Sequence, residues 1–148
     1  MQFGGSRMFN RILVAIDGST MSKKALKSAI QFAKERYSKI GVIHVEKNLQ
    51  IPEGMANESI DDLYSAMREE GNEILNHAIL MADEEGIEVE PQLVFGEPAF
   101  QIVKKANEGN YQLIIMGSRG LGGIKGLMLG SVSQKVSQLS HCPVLIIK

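Results

Sequence analysis

One cysteine, Cys142, stands in the whole 148-residue sequence, so neither a disulfide framework nor a thiolate cluster for a metal is available within it. Cys142 reads as a small core filler beside Pro143. An excess of positive charge is also missing. With 16 basic against 17 acidic residues and a formal net charge of -1, nothing offsets a phosphate backbone, and nucleic acid is excluded as the expected partner. Long apolar runs are absent too: ILVAI, LIIM and VLII fall far below the roughly 18 residues that span a bilayer. The start MQFGGSRMFN lacks the apolar core of a secretory signal. A cytoplasmic globule is the expectation, with residues 1–9 a flexible or tag-derived lead into a single domain that fills the rest.

What is present is alternation. RILVAID (11–17) is a continuous aliphatic run, as expected of a strand covered on both faces in a parallel sheet. Ser19 or Thr20 then caps a helix whose stripe is Ser22, Leu26, Ala29, Ile30, Ala33 and Tyr37. KIGVIHV (39–45) is a second strand, and 46–58, carrying Pro52 and Gly54 without periodicity, is a surface loop. Ser59 and Asp62 form a capping box ahead of the longest helix, with the stripe Ile60, Leu63, Tyr64, Met67, Gly71, Ile74, Leu75, Ala78 and Met81. Gly86 ends that helix in a left-handed conformation. Residues 87–96 are a third strand near an edge, because Pro91 donates no ladder bond. Pro98 opens a third helix, YQLIIMG is a fourth strand, and a fourth helix from Gly130 places Val132, Val136 and Leu139 on one face. PVLIIK closes the chain as a fifth strand. The order βαβαβαβαβ predicts an α/β fold, an open parallel sheet with helices on both faces.

In such a sheet, ligands bind beyond the carboxyl ends of the strands, where strand order reverses. The strand ending at Met116 runs into six glycines between 117 and 130: Gly117, Gly120, Gly122, Gly123, Gly126 and Gly130. Glycine lets backbone amides approach a ligand, and the following helix start offers unpaired N–H groups and a partial positive charge, an arrangement suited to phosphate. A simple corner, with Ser131 and Gln134 as a capping box, is the competing account. Neither G-x-x-x-x-G-K-[ST] nor G-x-G-x-x-G occurs, since Lys125 stands where a third glycine would be needed.

The spacing present is Gly117, two residues, Gly120, nine residues, Gly130, Ser131. This G-x2-G-x9-G-[ST] pattern, with RILVAIDGS, HVE, IIMGSRG, LGSVS and CPVLIIK in order, resembles the ATP-binding branch of the universal stress protein family over nearly the whole chain. The resemblance implies a Rossmann-like, adenine nucleotide α-hydrolase-like domain with strand order 3-2-1-4-5. It also implies ATP, or another adenine nucleotide, as ligand. Asp17, Ala15 and Ile16 would then lie by adenine and ribose, Val45 would hold adenine through its backbone, and Met116, Gly117 and Gly120 would floor ribose and phosphate. Gly130, Ser131, Val132 and Ser133 would cradle the phosphates, with Arg119 a further phosphate contact. Asp17 also suits the capping of the turn after its strand, and Lys125, in the middle of the loop, suits solvent.

Catalytic machinery is not apparent. His44 reads as a packed core residue, His77 and His141 form no triad or metal spacing, and Asp83, Glu84, Glu85, Glu88 and Glu90 read as a solvated helix end and loop. Magnesium or manganese fits here only as a companion of the phosphates. The expectation is a nucleotide-dependent regulatory protein with at most slow ATP hydrolysis. An ATP-using enzyme of the wider superfamily and a stress protein that acts by association without nucleotide are the other two classes. S-G-G-x-D-S and H-I-G-H, usual in those enzymes, are absent. The closing strand exposes an edge, and the resemblance implies a homodimer through residues 143–148.

Overall fold

The computed structural model describes residues 8–120 and 129–148. Residues 1–7 of the expected lead over 1–9, and the middle of the glycine-rich segment, including Lys125, Gly122, Gly123 and Gly126, lie outside them. Among the described residues nine elements alternate as expected: β1 (Arg11–Ala15), α1 (Thr20–Arg36), β2 (Lys39–Glu46), α2 (Asn57–Glu84), β3 (Val89–Phe95), α3 (Pro98–Glu108), β4 (Leu113–Gly117), α4 (Ser131–Leu139) and β5 (Val144–Ile147). All pairings are parallel, and the sheet order is β3-β2-β1-β4-β5. The chain reverses direction of travel across the sheet between β1 and β4, which places a crevice at their carboxyl ends.

Successive strand residues point to opposite faces, so each central strand feeds two cores. Ile12, Val14 and Ile16 join Leu26, Ala29, Ala33, Leu75, Ala78 and Ala82 under α1 and α2. Leu13, Ala15, Ile114 and Met116 join Ala99, Ile102, Ala106 and Val136 under α3 and α4. Ile12, Val14, Ile114 and Ile115 have no exposed surface. Truncating any of these to alanine costs about 2–5 kcal/mol.

Local chemistry decides the helix ends. Ser19, rather than Thr20, caps α1, accepting from Ser22 N at 3.1 Å. Tyr37 departs from its predicted place in the α1 stripe: it is the left-handed C-cap, 83% exposed, because the helix has already ended at Arg36. The Ser59–Asp62 capping box does not form either, since α2 starts at Asn57 behind Ala56 with no side-chain cap. In the first two turns of α2 Leu63 is exposed while Tyr64 packs edge-on against Phe95 at 5.4 Å. At the other end Gly86 behaves as predicted. It adopts φ 72°, Gly86 N donates to Asp83 O and Ile87 N to Ala82 O, closing a Schellman motif. Pro98 occupies the first turn of α3, capped by Glu97, and β3 with Pro91 lies at the sheet edge. Leu139 differs from expectation: at the last residue of α4 it has passed the core and is half exposed. Cys142 is half-buried against the α3/α4 core, with its N–H donating to Ser140 Oγ. No helix among the described residues is long and apolar enough to cross a membrane.

Tyr111 closes the lower end of the α3/α4 core beneath the Arg11 guanidinium, 4.7 Å from the ring centroid. A Cβ built on Gly41 would run into its phenol oxygen. Gly41→Ala is therefore expected to lose about 1–3 kcal/mol, read as a lower urea midpoint with unchanged slope. Burial pushes the Tyr111 phenol above its ordinary value of 10.0, with the Arg11 charge opposing the shift. The folded state thus keeps a proton that the unfolded chain releases, and stability falls as pH rises past the unfolded value of about 10. In an ultraviolet titration of the folded protein, Tyr111→Phe should remove a phenolate component that appears above pH 10.

Candidate functional site

The carboxyl ends of β1 and β4 meet the start of α4 through backbone rather than side chains. Ser118 sits at the end of β4, its N–H bonded to Ile147 O at 2.8 Å. Its carbonyl accepts from Gly130 N at 2.7 Å and from the Ser133 hydroxyl at 2.9 Å. Two segments separated by the glycine-rich stretch are thereby locked side by side. Gly130 is the N-cap of α4, no side chain caps the helix, and Ser131 stands inside its first turn. The competing account of Ser131 and Gln134 as a capping box is therefore not what the structure shows: Gln134 N donates to Gly130 O as an ordinary helical bond. The helix start retains uncapped amides and its share of positive dipole, the physical requirement for an anion.

The motif glycines are sites of contact. A Cβ on Gly117 would lie 2.9 Å from Met21 Cβ at the start of α1, and one on Gly130 would lie 3.2 Å from Ser118 O and 3.3 Å from Arg119 Cα. One on Gly120 would collide with Asp17 Oδ2. The spacing G-x2-G-x9-G thus records three places where main chain presses on a neighbour. A side chain at 117 would press on the start of α1, one at 130 on main chain, and one at 120 would have to push the Asp17 carboxylate aside.

Asp17 follows β1 and is half-buried. Its Oδ1 accepts from Ser19 N at 2.9 Å, and its own N–H donates to Ser22 Oγ at 3.3 Å. It therefore performs the turn-capping role, while Oδ2 faces Gly120. Among the other expected site residues, Ala15, Val45, Met116 and Val132 share the α3/α4 side of the sheet. Arg119 is half-buried, and Gly120 and Ser131 are exposed. Two are placed differently. Ile16 turns its side chain into the opposite, α1/α2 core, and both its backbone groups are engaged, N–H on Ile43 O and carbonyl on the His44 ring. Ser133 is 2% exposed and spends its hydroxyl on the Ser118 and Gly130 carbonyls. Only its position in the first turn of α4, and not its hydroxyl, remains suited to an anion.

His44 is the packed residue that its strand position describes, and it also ties neighbouring strand ends together. It is 5% exposed, with Nδ1 donating to Ile16 O at 2.8 Å and Nε2 at 2.9 Å from Glu46 Oε1. A carbonyl only accepts, so Nδ1 is the nitrogen that carries hydrogen toward Ile16 O. This bridge pins the end of β1 to β2, directly behind Ala15 and Asp17. Among the described residues no group of three His, Cys, Asp or Glu side chains is arranged to hold a metal ion. Replacing the tie between Ser118 and α4 tests the construction: Ser133→Ala should cost about 1 kcal/mol in chemical denaturation. It should leave the far-ultraviolet circular dichroism spectrum unchanged.

The sequence and the fold have close counterparts. Universal stress protein YxiE of Bacillus subtilis is 43% identical over 148 aligned residues, covering 95% of this chain and 100% of that protein. The solved structure of protein MJ0577 of Methanocaldococcus jannaschii superposes with a TM-score of 0.85 at 30% identity, over 96% of this chain and 97% of that one. A universal stress protein solved in complex with cAMP matches with a TM-score of 0.73 at 28% identity, over 96% and 99%. One from Archaeoglobus fulgidus in complex with dAMP matches with a TM-score of 0.67 at 27% identity, over 96% and 100%. The model of the universal stress protein family matches residues 8–148, and with the β4–α4 glycine clamp in place this chain belongs to that family.

Proposed function

We propose that this protein is an adenine-nucleotide-binding regulator of the stress response, with ATP as its nucleotide. The observation that carries the reading is the uncapped start of α4, clamped by Gly130 against Ser118 and Arg119, beside Asp17 held against Gly120. Phosphates would take the first-turn amides of Ser131, Val132 and Ser133, with Gly130, whose own N–H is held by Ser118 O, as the small residue that lets them approach and Arg119 as a further cation. The base would lie on the α3/α4 side, over Ala15, Met116 and Val45, and the ribose near Asp17 and Gly117. Related proteins solved with cAMP and dAMP support an adenine nucleotide as the class. A magnesium or manganese ion would be held by the phosphates, since the described residues offer no cluster of protein ligands for it. Among the described residues the site presents amides and the Arg119 cation but no positioned base, so occupancy rather than turnover is the signal, with ATP hydrolysis slow at most.

The cytoplasm is the compartment this reading assigns, with Cys142 as a free thiol. β5 lies at the sheet edge, paired only with β4, and Leu145 on it and Leu139 at the end of α4 are exposed. An open edge with apolar side chains favours pairing with a second copy through residues 143–148, a homodimer. Sedimentation at micromolar concentration should give the dimer mass, and a monomer would remove the dimer.

Calorimetric titration with ATP should give a saturable one-site isotherm, and Gly120→Ala should weaken it at least tenfold by setting a methyl against Asp17 Oδ2. A nucleotide-free isotherm from folded protein, with AMP equally inert, would end the reading.

A further inference from the structure

We propose that a second ligand site, for a small aryl or alkyl carboxylate, lies between α1 and α2 on the sheet face opposite the nucleotide crevice. A cleft of about 170 Å³ opens there, walled by Ile16, Leu26, Ile74, Ala78 and Met81. Strand parity separates it from the crevice, because Ile16 points into the α1/α2 core while its neighbour Ala15 points to Met116 and Val45. Its volume is too small for a nucleotide, since sites for larger ligands run to about 300–1,000 Å³. It matches one six-membered ring, as an apolar cavity of about 150 Å³ takes up benzene.

The walls are apolar and the mouth is charged. Lys23 from α1 and Glu73 and His77 from α2 line it, all three exposed. Among the described residues Lys23 has no ion-pair partner. A ring seated on Ile74 and Ala78 therefore has one ammonium available at the mouth, with the His77 imidazole as a second donor. That chemistry selects a carboxylate head, and Glu73 opposes it by repulsion. One wall is closely packed: Gly18, at φ 84°, lets Ile74 come within 3.3 Å of where a Cβ would stand. Ser22 forms part of the wall and also accepts from Asp17 N, so the two sites stand back to back across the end of β1.

The test is a methyl and amide NMR titration of the full chain with phenylacetate, and with benzyl alcohol as its uncharged counterpart. Saturable shifts should centre on Ile16, Leu26, Ile74, Ala78 and Met81. Benzyl alcohol should bind about two- to fivefold more weakly, Lys23→Gln should weaken phenylacetate by the same factor, and Glu73→Gln should strengthen it. Met81→Trp, at the half-buried margin, should block the mouth. Ala78→Leu, which fills the cleft, gives a second check if that variant misfolds. AMP should leave phenylacetate in place. Absence of saturable shifts, shifts centred on Ala15, Val45 and Met116, or displacement by AMP would each overturn the site. Equal affinity for acid and alcohol, unmoved by Lys23→Gln, would overturn its assignment to a carboxylate. Failure of AMP to bind, with phenylacetate still bound, would count against the nucleotide proposal and not against this one.

Discussion

The carbonyl of Ser118 is the point on which the carboxyl edge of the sheet depends. It receives the Gly130 amide and the Ser133 hydroxyl, and thereby joins the end of β4 to the start of α4 across the intervening segment. Because the partners are backbone and a buried hydroxyl, the junction brings main chain against main chain, and glycine at 130 fits that approach to Ser118 and Arg119 without forcing them apart. The same closeness pushes Gly120 onto Asp17. One hydrogen-bonded contact thus positions the uncapped helix start, the acidic residue after β1 and the floor of the crevice together.

The two cores supply the rigidity that this junction requires. Central strands buried on both faces leave little freedom for their ends, and the His44 bridge between Ile16 O and Glu46 removes more at β1 and β2. Alternation along β1 then divides the labour: Ala15 serves one face and Ile16 the other. A residue counted toward the crevice by its position in the chain belongs, by the direction of its side chain, to the α1/α2 side.

Element identity was legible because it rests on short-range pattern. Apolar runs of strand length, a helical stripe closed by Gly86, and Pro98 in a first turn each report a conformation set by nearby residues. The errors fall where a neighbour distant in sequence decides. Tyr37 fits the α1 stripe by spacing, but Ser38 donates to Phe9 O and the chain must turn toward β2, so Tyr37 becomes the cap. Ser59 and Asp62 have the spacing of a capping box, yet α2 begins three residues earlier, at Asn57 behind Ala56, which places both inside the helix. Leu139 keeps helical phase with Val136 but lies past the last strand it would cover.

The sequence by itself determined the alternating layered fold, the edge of the sheet where its glycines gather and the family, because periodicity and the order of glycines are local and survive without coordinates. Only the tertiary structure decided which groups remain available at that edge. It committed the Ser133 hydroxyl to Ser118, turned Ile16 into the opposite core and set Asp17 against Gly120. Hydrogen-bond partners and side-chain directions depend on residues brought together from β1, β4 and α4, and no spacing along one strand or helix contains them.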